Sequence, residues 1–348
     1  MGPHPAVAAV RTAVRTALAD LDARRSGADA ADPGSGEGSG PASVLVALSG
    51  GADSTALAAA VAFLAARDGR SAGAVVVDHG LQPGSASAAR RAGNLAFELG
   101  LDPVHVVAVD VGSRGGPEGA ARTARYRALD ALADAASAAV LLGHTRDDQA
   151  ETVLLGLARG SGPRSVAGMA PWDGRHVRPL LDIDRSTTRA ACAALGLSVW
   201  DDPHNVDPRY TRVRLRQNVL PRLDEAVGGG VAAALARTGR LLREDLEALD
   251  ELAATVSGAV TLPNGSADGR AGPATLDAVA LAMHPRAIRT RVLRTWCAEG
   301  GVAALGAVHL DALDRLVTAW HGQSAVDLPG GYAALRRSGR LALDRPVT

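Results

Sequence analysis

A glycine-rich loop lies between an apolar run and an alanine-rich run. It reads Ser49-Gly50-Gly51-Ala52-Asp53-Ser54-Thr55. The two glycines let the backbone turn tightly and approach an anion without a Cβ in the way. A helix starting here would direct its free amides at the loop, so backbone amides and hydroxyls could hold a phosphate, and Asp53 a divalent cation shared with it. Spacing alone leaves open the alternative that glycine serves geometry and that Asp or Ser caps the helix.

A second cluster of ionisable residues follows a later apolar run. It reads Gly143-His144-Thr145-Arg146-Asp147-Asp148-Gln149-Ala150-Glu151-Thr152. If a helix begins near Asp147, then Glu151 shares a face with Asp147 and Asp148. These carboxylates can hold Mg²⁺ or orient a proton acceptor, or they can simply complement the dipole of a helix start. The neighbouring His144 favours the functional interpretation.

Three arginines lie close together in an alanine-rich stretch, at Arg122, Arg125 and Arg127. On a helix near a strand end they could contact phosphate, but spacing alone favours a solvated face. All 37 strong bases of the chain are arginine. Phosphate loops and Schiff-base sites that need lysine are therefore excluded, and phosphate contacts must come from backbone amides or arginine.

An alternation of apolar and alanine-rich runs must position these residues. The apolar runs predict buried strands at 44–48, 74–77, 104–109 and 140–142. The runs between them predict helices at 55–67, 87–99 and 118–136. This alternation indicates an α/β fold, a parallel sheet with helices on both faces. Ligands of such sheets bind outside the carboxyl ends of the strands, which is where both ionisable clusters fall.

Length and composition bound the class of protein. The 348 residues suggest about two domains, and 47% hydrophobic residues indicate a globular chain. The lack of a long apolar run, of a secretory signal and of more than two cysteines favours a cytoplasmic protein without a disulfide scaffold. The predicted organisation is an N-terminal helix at 1–25, a flexible Gly/Ser linker at 26–42, an α/β domain at 43–227 and a smaller, mainly helical domain at 228–348. That last domain is predicted to hold helices at 287–297 and 307–320 and a β-like tail at 324–343.

The three motifs, in this order, resemble the PP-loop superfamily, the N-type ATP pyrophosphatases, whose signature loop is Ser-Gly-Gly-x-Asp-Ser. Within it the chain is similar to the tRNA(Ile)-lysidine synthetase family, roughly from Ser43 to Leu223. The more specific matches are Asp147-Asp148-Gln149-Ala150-Glu151-Thr152 and Arg159-Gly160-Ser161-Gly162. The chain departs from the family at Arg212-Val213, where Arg-Asn is usual, and at His144-Thr145, where His-His is frequent. Neither departure removes the acidic pair.

The resemblance implies a ligase that modifies the wobble cytidine of a CAU-anticodon tRNA(Ile). ATP adenylates the oxygen on carbon 2 of the base, and the side-chain amine of free L-lysine then displaces AMP. By motif position the catalytic candidates are Asp53, Arg122, Arg125, His144 and Asp148. The ATP-binding candidates are Ser49, Gly50, Gly51, Ala52, Asp53, Ser54 and Thr55. The candidate Mg²⁺ ligands are Asp53, Asp147 and Asp148.

A tRNA substrate requires a basic surface, and residues 209–222 contain five arginines and no acidic residue. The alternation of Arg212, Arg214 and Arg216 predicts an extended segment with one charged face, and Tyr210 could stack on a base. The candidate tRNA-binding residues are Arg209, Tyr210, Arg212, Arg214 and Arg216. A second arginine cluster, at Arg286, Arg289, Arg291 and Arg294, is equally well explained as a solvated face. No membrane partner is expected, and a homodimer stays open.

Three other functions compete with this one. A PP-loop tRNA 2-thiolation enzyme also adenylates a base, but it needs reactive cysteines, and Cys192 and Cys297 lie far apart without a Cys-x-x-Cys motif. A PP-loop enzyme acting on small molecules would leave the arginine-rich stretch without a purpose. A nucleotide-binding regulator without catalysis would release no pyrophosphate.

Overall fold

The computed structural model describes residues 2–31, 43–80, 82, 84–112, 116–262, 274–303 and 305–344. The chain divides into two compact units, Met1–Leu242 and Arg243–Thr348. The division falls inside the helix Val231–Val260, later than the boundary at residue 228 that the sequence suggested. Gly228 ends the preceding helix in a left-handed conformation, so the run of glycines there breaks a helix while the units divide further on.

A mostly parallel sheet lies at the centre of the first unit. Its strands are β1 Val44–Ala47, β2 Ala72–Asp78, β3 Val104–Ala108, β4 Ala139–Leu142, β5 Trp172–Asp173 and β6 His176–Val177. They lie in the order β3-β2-β1-β4-β6-β5, and every neighbouring pair is parallel except β5 and β6. The predicted α/β fold is confirmed, and the four predicted strands coincide with β1 to β4 to within two residues.

Helices cover both faces of this sheet. In the first unit they are α1 Pro5–Ala31, α2 Ala52–Asp68, α3 Ser85–Glu98, α4 Gly116–Ala135, α5 Arg146–Ala158, α6 Pro163–Val166, α7 Arg185–Ala194, α8 Thr211–Arg214 and α9 Leu220–Val227, followed by α10 Val231–Val260. Val44 and Val46 of β1 pack into the core that contains α1, α2 and α7. The alternate residues Leu45 and Ala47 pack into a second core with Leu129 of α4, as the two-residue period of a strand requires.

The N-terminal helix is longer than the sequence predicted. It continues to Ala31, so the first six residues of the predicted linker, 26–31, are helical. The rest of that linker, 32–42, lies outside the described residues. None of the described helices combines the length and the apolar character that crossing a bilayer requires.

The register of the sheet brings the two predicted motifs together. Ala47 of β1 pairs with Leu142 of β4, so the loops that follow these strands emerge side by side at the carboxyl edge. Gly143 follows directly, and a Cβ there would lie 3.0 Å from the backbone N and Cα of Ser54. Glycine therefore suits this position, because a Cβ would make an unusually tight contact with the start of α2 and displace it from β4 by a few tenths of an ångström.

The second unit combines helices with an antiparallel sheet. Its strands are β7 Thr261–Leu262, β8 Thr275–Asp277, β9 Val326–Leu328, β10 Tyr332–Arg337 and β11 Arg340–Asp344, in the order β7-β8-β11-β10-β9. Its remaining helices are α11 Ala278–Ala282, α12 Arg286–Glu299 and α13 Ala307–Thr318. The core includes Leu276, Leu293, Trp296 and Leu313, all nearly inaccessible to solvent. The two predicted helices correspond to α12 and α13, and the β-like tail to β9, β10 and β11.

Candidate active site

The loop after β1, residues 49–55, turns from strand to helix and is called the glycine loop here. Gly50 adopts a left-handed conformation with φ of 84°, and Gly51 is the N-cap of α2. The Ser54 hydroxyl accepts a hydrogen bond from the Ser49 amide at 3.1 Å and donates one to the Gly51 carbonyl at 3.1 Å. The first amides of α2 have no acceptor within the helix, so the loop presents an anion-binding helix end.

The start of α5 places the acidic cluster beside this loop. Thr145 is the N-cap of α5. The Thr145 amide donates to Asp148 Oδ2 at 2.9 Å, and the Thr145 hydroxyl donates to the same oxygen at 3.0 Å. This capping box fixes one oxygen of Asp148 and leaves Oδ1 directed elsewhere. Asp147 faces a different way, because its Oδ2 accepts the backbone N–H of Arg185 at 2.9 Å.

Arg185, the first residue of α7, joins the two motifs. Its Nη2 donates to Asp148 Oδ1 at 2.7 Å, and its Nε donates to Asp53 Oδ2 at 3.3 Å. The other oxygen of Asp53 accepts a short hydrogen bond from the Thr188 hydroxyl, one turn further along α7. The carboxylates of Asp53 and Asp148 are thus brought to one place, with a guanidinium between them.

Glu151 and Arg216 complete this group of charges, which we call the acid–arginine cluster: Asp53, Asp148, Glu151, Arg185 and Arg216. Arg216 Nε donates to Glu151 Oε1 at 2.7 Å, and Arg216 Nη2 lies 3.6 Å from Asp148 Oδ1. Glu151 is fully buried, and its second oxygen, Oε2, has no hydrogen-bond partner among the described residues. Three acidic and two basic groups therefore share a partly desolvated volume.

Burial and neighbouring charges shift the pKa values of the acids in this cluster in different directions. Burial raises the pKa of Asp53, although the Thr188 hydroxyl and Arg185 oppose the shift. Burial likewise raises the pKa of Glu151 against the effect of Arg216. For Asp148, burial is outweighed by Arg185 and the Thr145 amide, so its pKa lies below the usual value. Asp148 is therefore the most firmly ionised acid of the cluster.

His144 and Arg125 face the same cavity as Asp53 and Asp148. This cavity has a volume of about 670 Å³. Burial lowers the pKa of His144 to about 3, so its ring is uncharged at neutral pH and can donate or accept a hydrogen bond. A second cavity of about 290 Å³, which also borders the glycine loop, is lined by Arg125, Val76, Trp200 and Asp202. Arg125 therefore lines both cavities.

Arg122 lies outside this arrangement. Its guanidinium carbon stacks 4.8 Å from the ring centre of Tyr126, and it donates to the Tyr126 hydroxyl at 3.2 Å. Arg122 is not one of the described residues that line the two cavities.

The structure therefore brings together four of the five catalytic candidates, Asp53, Arg125, His144 and Asp148. Asp147 is not among the described residues that line the cavity with Asp53 and Asp148. Within the glycine loop, Thr55 is fully buried, so its hydroxyl does not face the cavity as the sequence suggested. The other residues of the loop stay as candidates for binding an anion.

The arginine-rich segment is helical, so the predicted extended segment is wrong. Residues Thr211–Arg214 form α8 and Leu215–Val219 a π-helical turn. Val213 and Leu220 are both buried, and their spacing of seven residues is two helical turns. This spacing explains the helix and was hidden by the alternation of the arginines.

The arginines of this segment consequently face different partners. Arg216 is held by Glu151 within the cluster, while Arg209 is paired with Asp207 at 2.6 Å. Arg214 donates to the carbonyls of Pro208 and Arg209 at 2.8 and 2.9 Å. Tyr210 lies 5.5 Å from the His204 ring. Among the described residues, the Arg212 guanidinium alone of these four arginines has no hydrogen-bond or ion-pair partner.

The second arginine cluster is largely neutralised. Arg289 binds both oxygens of Asp314 at 2.7 and 2.9 Å, and Arg291 binds Asp250 at 2.7 Å. Arg286 pairs with Asp311. These contacts favour the interpretation of this cluster as a charged protein surface.

Sequence reasoning missed Arg185, Thr188 and Trp200. A helix-start signal was present, because Asp184 accepts from the Thr187 amide at 2.7 Å as the N-cap of α7. The Trp200 amide donates to the Gly50 carbonyl at 2.9 Å. No local sequence pattern predicts this contact. The contacts of Arg185 and Thr188 with Asp53, and of Trp200 with Gly50, join residues more than a hundred positions apart, so their roles depend on the fold.

Both cysteines are poorly suited to carrying sulfur. Cys192 and Cys297 are buried and free. Burial raises the pKa of the Cys192 thiol to about 11 and that of Cys297 to about 12. Because the thiolate is the reactive form, neither is activated as a nucleophile.

The sheet order, the glycine loop and the acidic pair at the carboxyl edge define a PP-loop nucleotide-binding protein. Residues 28–223 match the family model described as the PP-loop domain, and residues 276–342 match the TilS substrate binding domain. Curated proteins named tRNA(Ile)-lysidine synthase are 54% identical in Thermobifida fusca, over 98% of both chains, and 52% identical in Streptomyces coelicolor, over 99% of both. The chain belongs to the tRNA(Ile)-lysidine synthase family.

A solved structure shows how widely this fold is shared. The U34-tRNA thiolase NcsA from Methanococcus maripaludis, described with its [4Fe-4S] cluster, superposes with a TM-score of 0.52. It is 17% identical, and the match covers 68% of this chain and 80% of that one. This likeness concerns the fold alone.

Proposed function

We propose that this chain uses ATP to join free L-lysine to carbon 2 of the wobble cytidine of a CAU-anticodon tRNA(Ile), in the cytoplasm. The observation that carries the proposal is the convergence of Asp53 and Asp148 beside the glycine loop. Relatives of the same family over nearly the full chain support the choice of substrate.

The glycine loop is where the outgoing pyrophosphate of ATP would bind. The free amides at the start of α2 and the Ser49 hydroxyl supply hydrogen bonds without any lysine. The smaller cavity, with Val76, Trp200 and Asp202 in its walls, accommodates the nucleoside end of the same ligand. Arg125 lines both cavities and would contact the α-phosphate between them, where negative charge develops during adenylation.

The carboxylates fit Mg²⁺ by the chemistry of their donor atoms, which are hard oxygens. Asp53 and Asp148 would hold the ion. The described residues contain no group of three or more metal-ligating side chains, so phosphate oxygens would complete its coordination. When bound, the ion neutralises charge on the phosphates during adenylation. Asp147 is not included among the proposed ligands, because its carboxylate accepts the hydrogen bond of the Arg185 amide.

The reaction has two steps. In the first, the oxygen on carbon 2 attacks the α-phosphorus and pyrophosphate leaves. In the second, the ε-nitrogen of lysine bonds to carbon 2, AMP departs with the former base oxygen, and the amine loses a proton. His144, neutral because of its burial, can hydrogen-bond to the base without placing a positive charge where the neutral ε-amine of lysine must attack.

The direct test is incubation with ATP, radiolabelled lysine and unmodified tRNA(Ile). We expect label in the tRNA, together with pyrophosphate release that depends on the tRNA. Release with lysine or another small molecule alone would instead indicate a small-molecule ligase. A complete lack of pyrophosphate release would indicate a regulator.

Reversing the charge of Arg212 and Arg214 should weaken tRNA binding. In the variant R212E/R214E, we expect the dissociation constant to rise and the dependence of log K on log salt to flatten by about one unit of slope per lost phosphate contact. The control is R90E/R91E on α3, which makes the same change in net charge at two exposed residues. An unchanged salt slope in R212E/R214E would remove both arginines from the interface.

Removing both thiols should leave the modification intact. The variant C192S/C297S replaces two buried, inactive thiols. We expect the rate of lysine incorporation per folded molecule to stay within about threefold of wild type, because neither thiol is activated as a nucleophile. The same assay with a sulfur donor in place of lysine should give no thiolated tRNA. Loss of tRNA modification by a variant that remains folded would revive the thiolation alternative.

A further inference from the structure

Arg185 occupies the two carboxylate oxygens that are best placed to receive a cation. Asp53 Oδ1 is engaged by the Thr188 hydroxyl, and Asp148 Oδ2 by the capping box of Thr145. The remaining oxygens, Asp53 Oδ2 and Asp148 Oδ1, are the ones that accept from the Arg185 guanidinium. A cation that leaves the helix cap and the Thr188 hydrogen bond undisturbed would use those two.

A guanidinium and a divalent ion compete for these oxygens. Mg²⁺ requires its ligands at about 2.0–2.1 Å, while Arg185 holds the same atoms by hydrogen bonds of 2.7 and 3.3 Å. The two cations also repel each other in a volume where burial weakens screening. Arg185 therefore opposes binding of the ion to both carboxylates, and its movement away from one of them relieves that repulsion.

A second position for the guanidinium already exists in the cluster. Arg185 Nη1 lies 4.0 Å from Glu151 Oε1, and Glu151 Oε2 is buried without a hydrogen-bond partner among the described residues. An unpaired carboxylate oxygen in this environment is costly. Movement of Arg185 toward Glu151 would bring a second donor to this carboxylate and release Asp53.

We propose that Arg185 is an internal counter-ion that closes the Mg²⁺ site of the free enzyme and moves to Glu151 when the ion binds. Arg185 keeps Asp53 and Asp148 from repelling each other while the site lacks nucleotide. It thereby makes occupancy by the ion conditional on the additional attraction of the ATP phosphates. The inference rests on the proposed Mg²⁺ role of Asp53 and Asp148, and it adds a competing group that the proposed function does not contain.

The test is the affinity for Mn²⁺ alone, measured by electron paramagnetic resonance without ATP or tRNA. In the variant R185Q we expect binding tighter by about tenfold or more, because a neighbouring charge within about 4–6 Å shifts such equilibria by one to three powers of ten. The variant R185K keeps the charge but cannot bridge both carboxylates, so its affinity should be intermediate. The control is R90Q on α3, which removes the same charge at an exposed arginine outside the lining of this cavity, and it should change the affinity by less than about threefold.

Two further substitutions test which carboxylates the change in Mn²⁺ affinity depends on. Adding D148N to R185Q should abolish the gain, because the second carboxylate is lost. E151Q should weaken Mn²⁺ binding more in the wild-type background than in R185Q, because only wild type needs Glu151 to receive the guanidinium. Equal effects in both backgrounds would refute the movement to Glu151.

An affinity of R185Q that is unchanged or weaker overturns the proposal. If R185Q does not fold, an unchanged or weaker affinity of R185K overturns it equally. Labelling of tRNA by the wild-type enzyme is a separate readout. Labelling with no Mn²⁺ effect defeats only the role of Arg185. Tighter Mn²⁺ binding by R185Q without labelling of tRNA by wild type defeats only the proposed substrate.

Discussion

Replacing Asp148 with asparagine is expected to lower kcat/KM for lysine incorporation by about 10²- to 10³-fold, the range for removing one preorganised charge-stabilising group. The asparagine side chain matches aspartate in size, and its carbonyl oxygen can still accept the Thr145 amide, so α5 stays capped. What the variant D148N loses is the negative charge that faces Arg185 at 2.7 Å. The rate should be measured with saturating tRNA, and thermal unfolding of the variant should confirm that the fold is retained.

Asp147 is the matched control for this prediction. It is the neighbouring residue on the same helix, and its carboxylate contacts only the Arg185 amide among the described residues. The carbonyl oxygen of an asparagine at this position can still accept that hydrogen bond, so we expect D147N to keep its activity within about fivefold, the size of a modest lost interaction of about 1 kcal/mol. A loss in D147N as large as that in D148N would restore Asp147 as a metal ligand and contradict the geometry.

The sequence predicted the sheet and the edge that carries the site because both follow from local patterns. Apolar runs of strand length alternate with alanine-rich helices, and parallel strands place their loops at one edge. The proximity of the glycine loop to the acidic cluster followed from that rule, whereas the choice of Asp53 and Asp148 came from the family resemblance. In the structure both carboxylates accept hydrogen bonds from Arg185.

The cationic half of the site could not be predicted in the same way. Arg185 is one of 37 identical side chains, and its importance comes from a contact 132 positions away in the chain. Arg216 was assigned to tRNA because it alternates with Arg212 and Arg214, but the helical spacing of buried Val213 and Leu220 directs it inward. Which arginine meets an acid depends on packing between distant elements, and a single sequence does not encode that locally.

The inward position of Arg216 leads to a prediction about stability. Glu151 is fully buried, and Arg216 donates the one hydrogen bond that it receives among the described residues, at 2.7 Å. Replacing Arg216 with methionine removes that partner and leaves a buried carboxylate. Breaking such a pair costs about 3–5 kcal/mol, and we expect the lower end, about 3 kcal/mol at neutral pH, because Arg185 remains 4.0 Å from Glu151.

The pH dependence distinguishes this mechanism from a general loss of packing. Burial raises the folded-state pKa of Glu151 above its ordinary 4.5, so the folded chain holds a proton that the unfolded chain has already released. Stability therefore falls as pH rises through that window, and without Arg216 the pKa rises further. The deficit of R216M in urea unfolding should be small near pH 4 and should grow with pH until the folded-state pKa is passed.

Two variants isolate the buried charge. In R216M/E151Q no carboxylate is left unpaired, so most of the lost stability should return and the pH dependence should disappear. R212M changes the neighbouring arginine, which is half-buried and has no ion-pair partner among the described residues. It should cost less than about 1 kcal/mol at every pH, because no ion pair is lost. If R216M is destabilised equally at pH 4 and pH 8, or if E151Q restores nothing, then Arg216 contributes through packing, and the acid–arginine cluster is not held together by its charges.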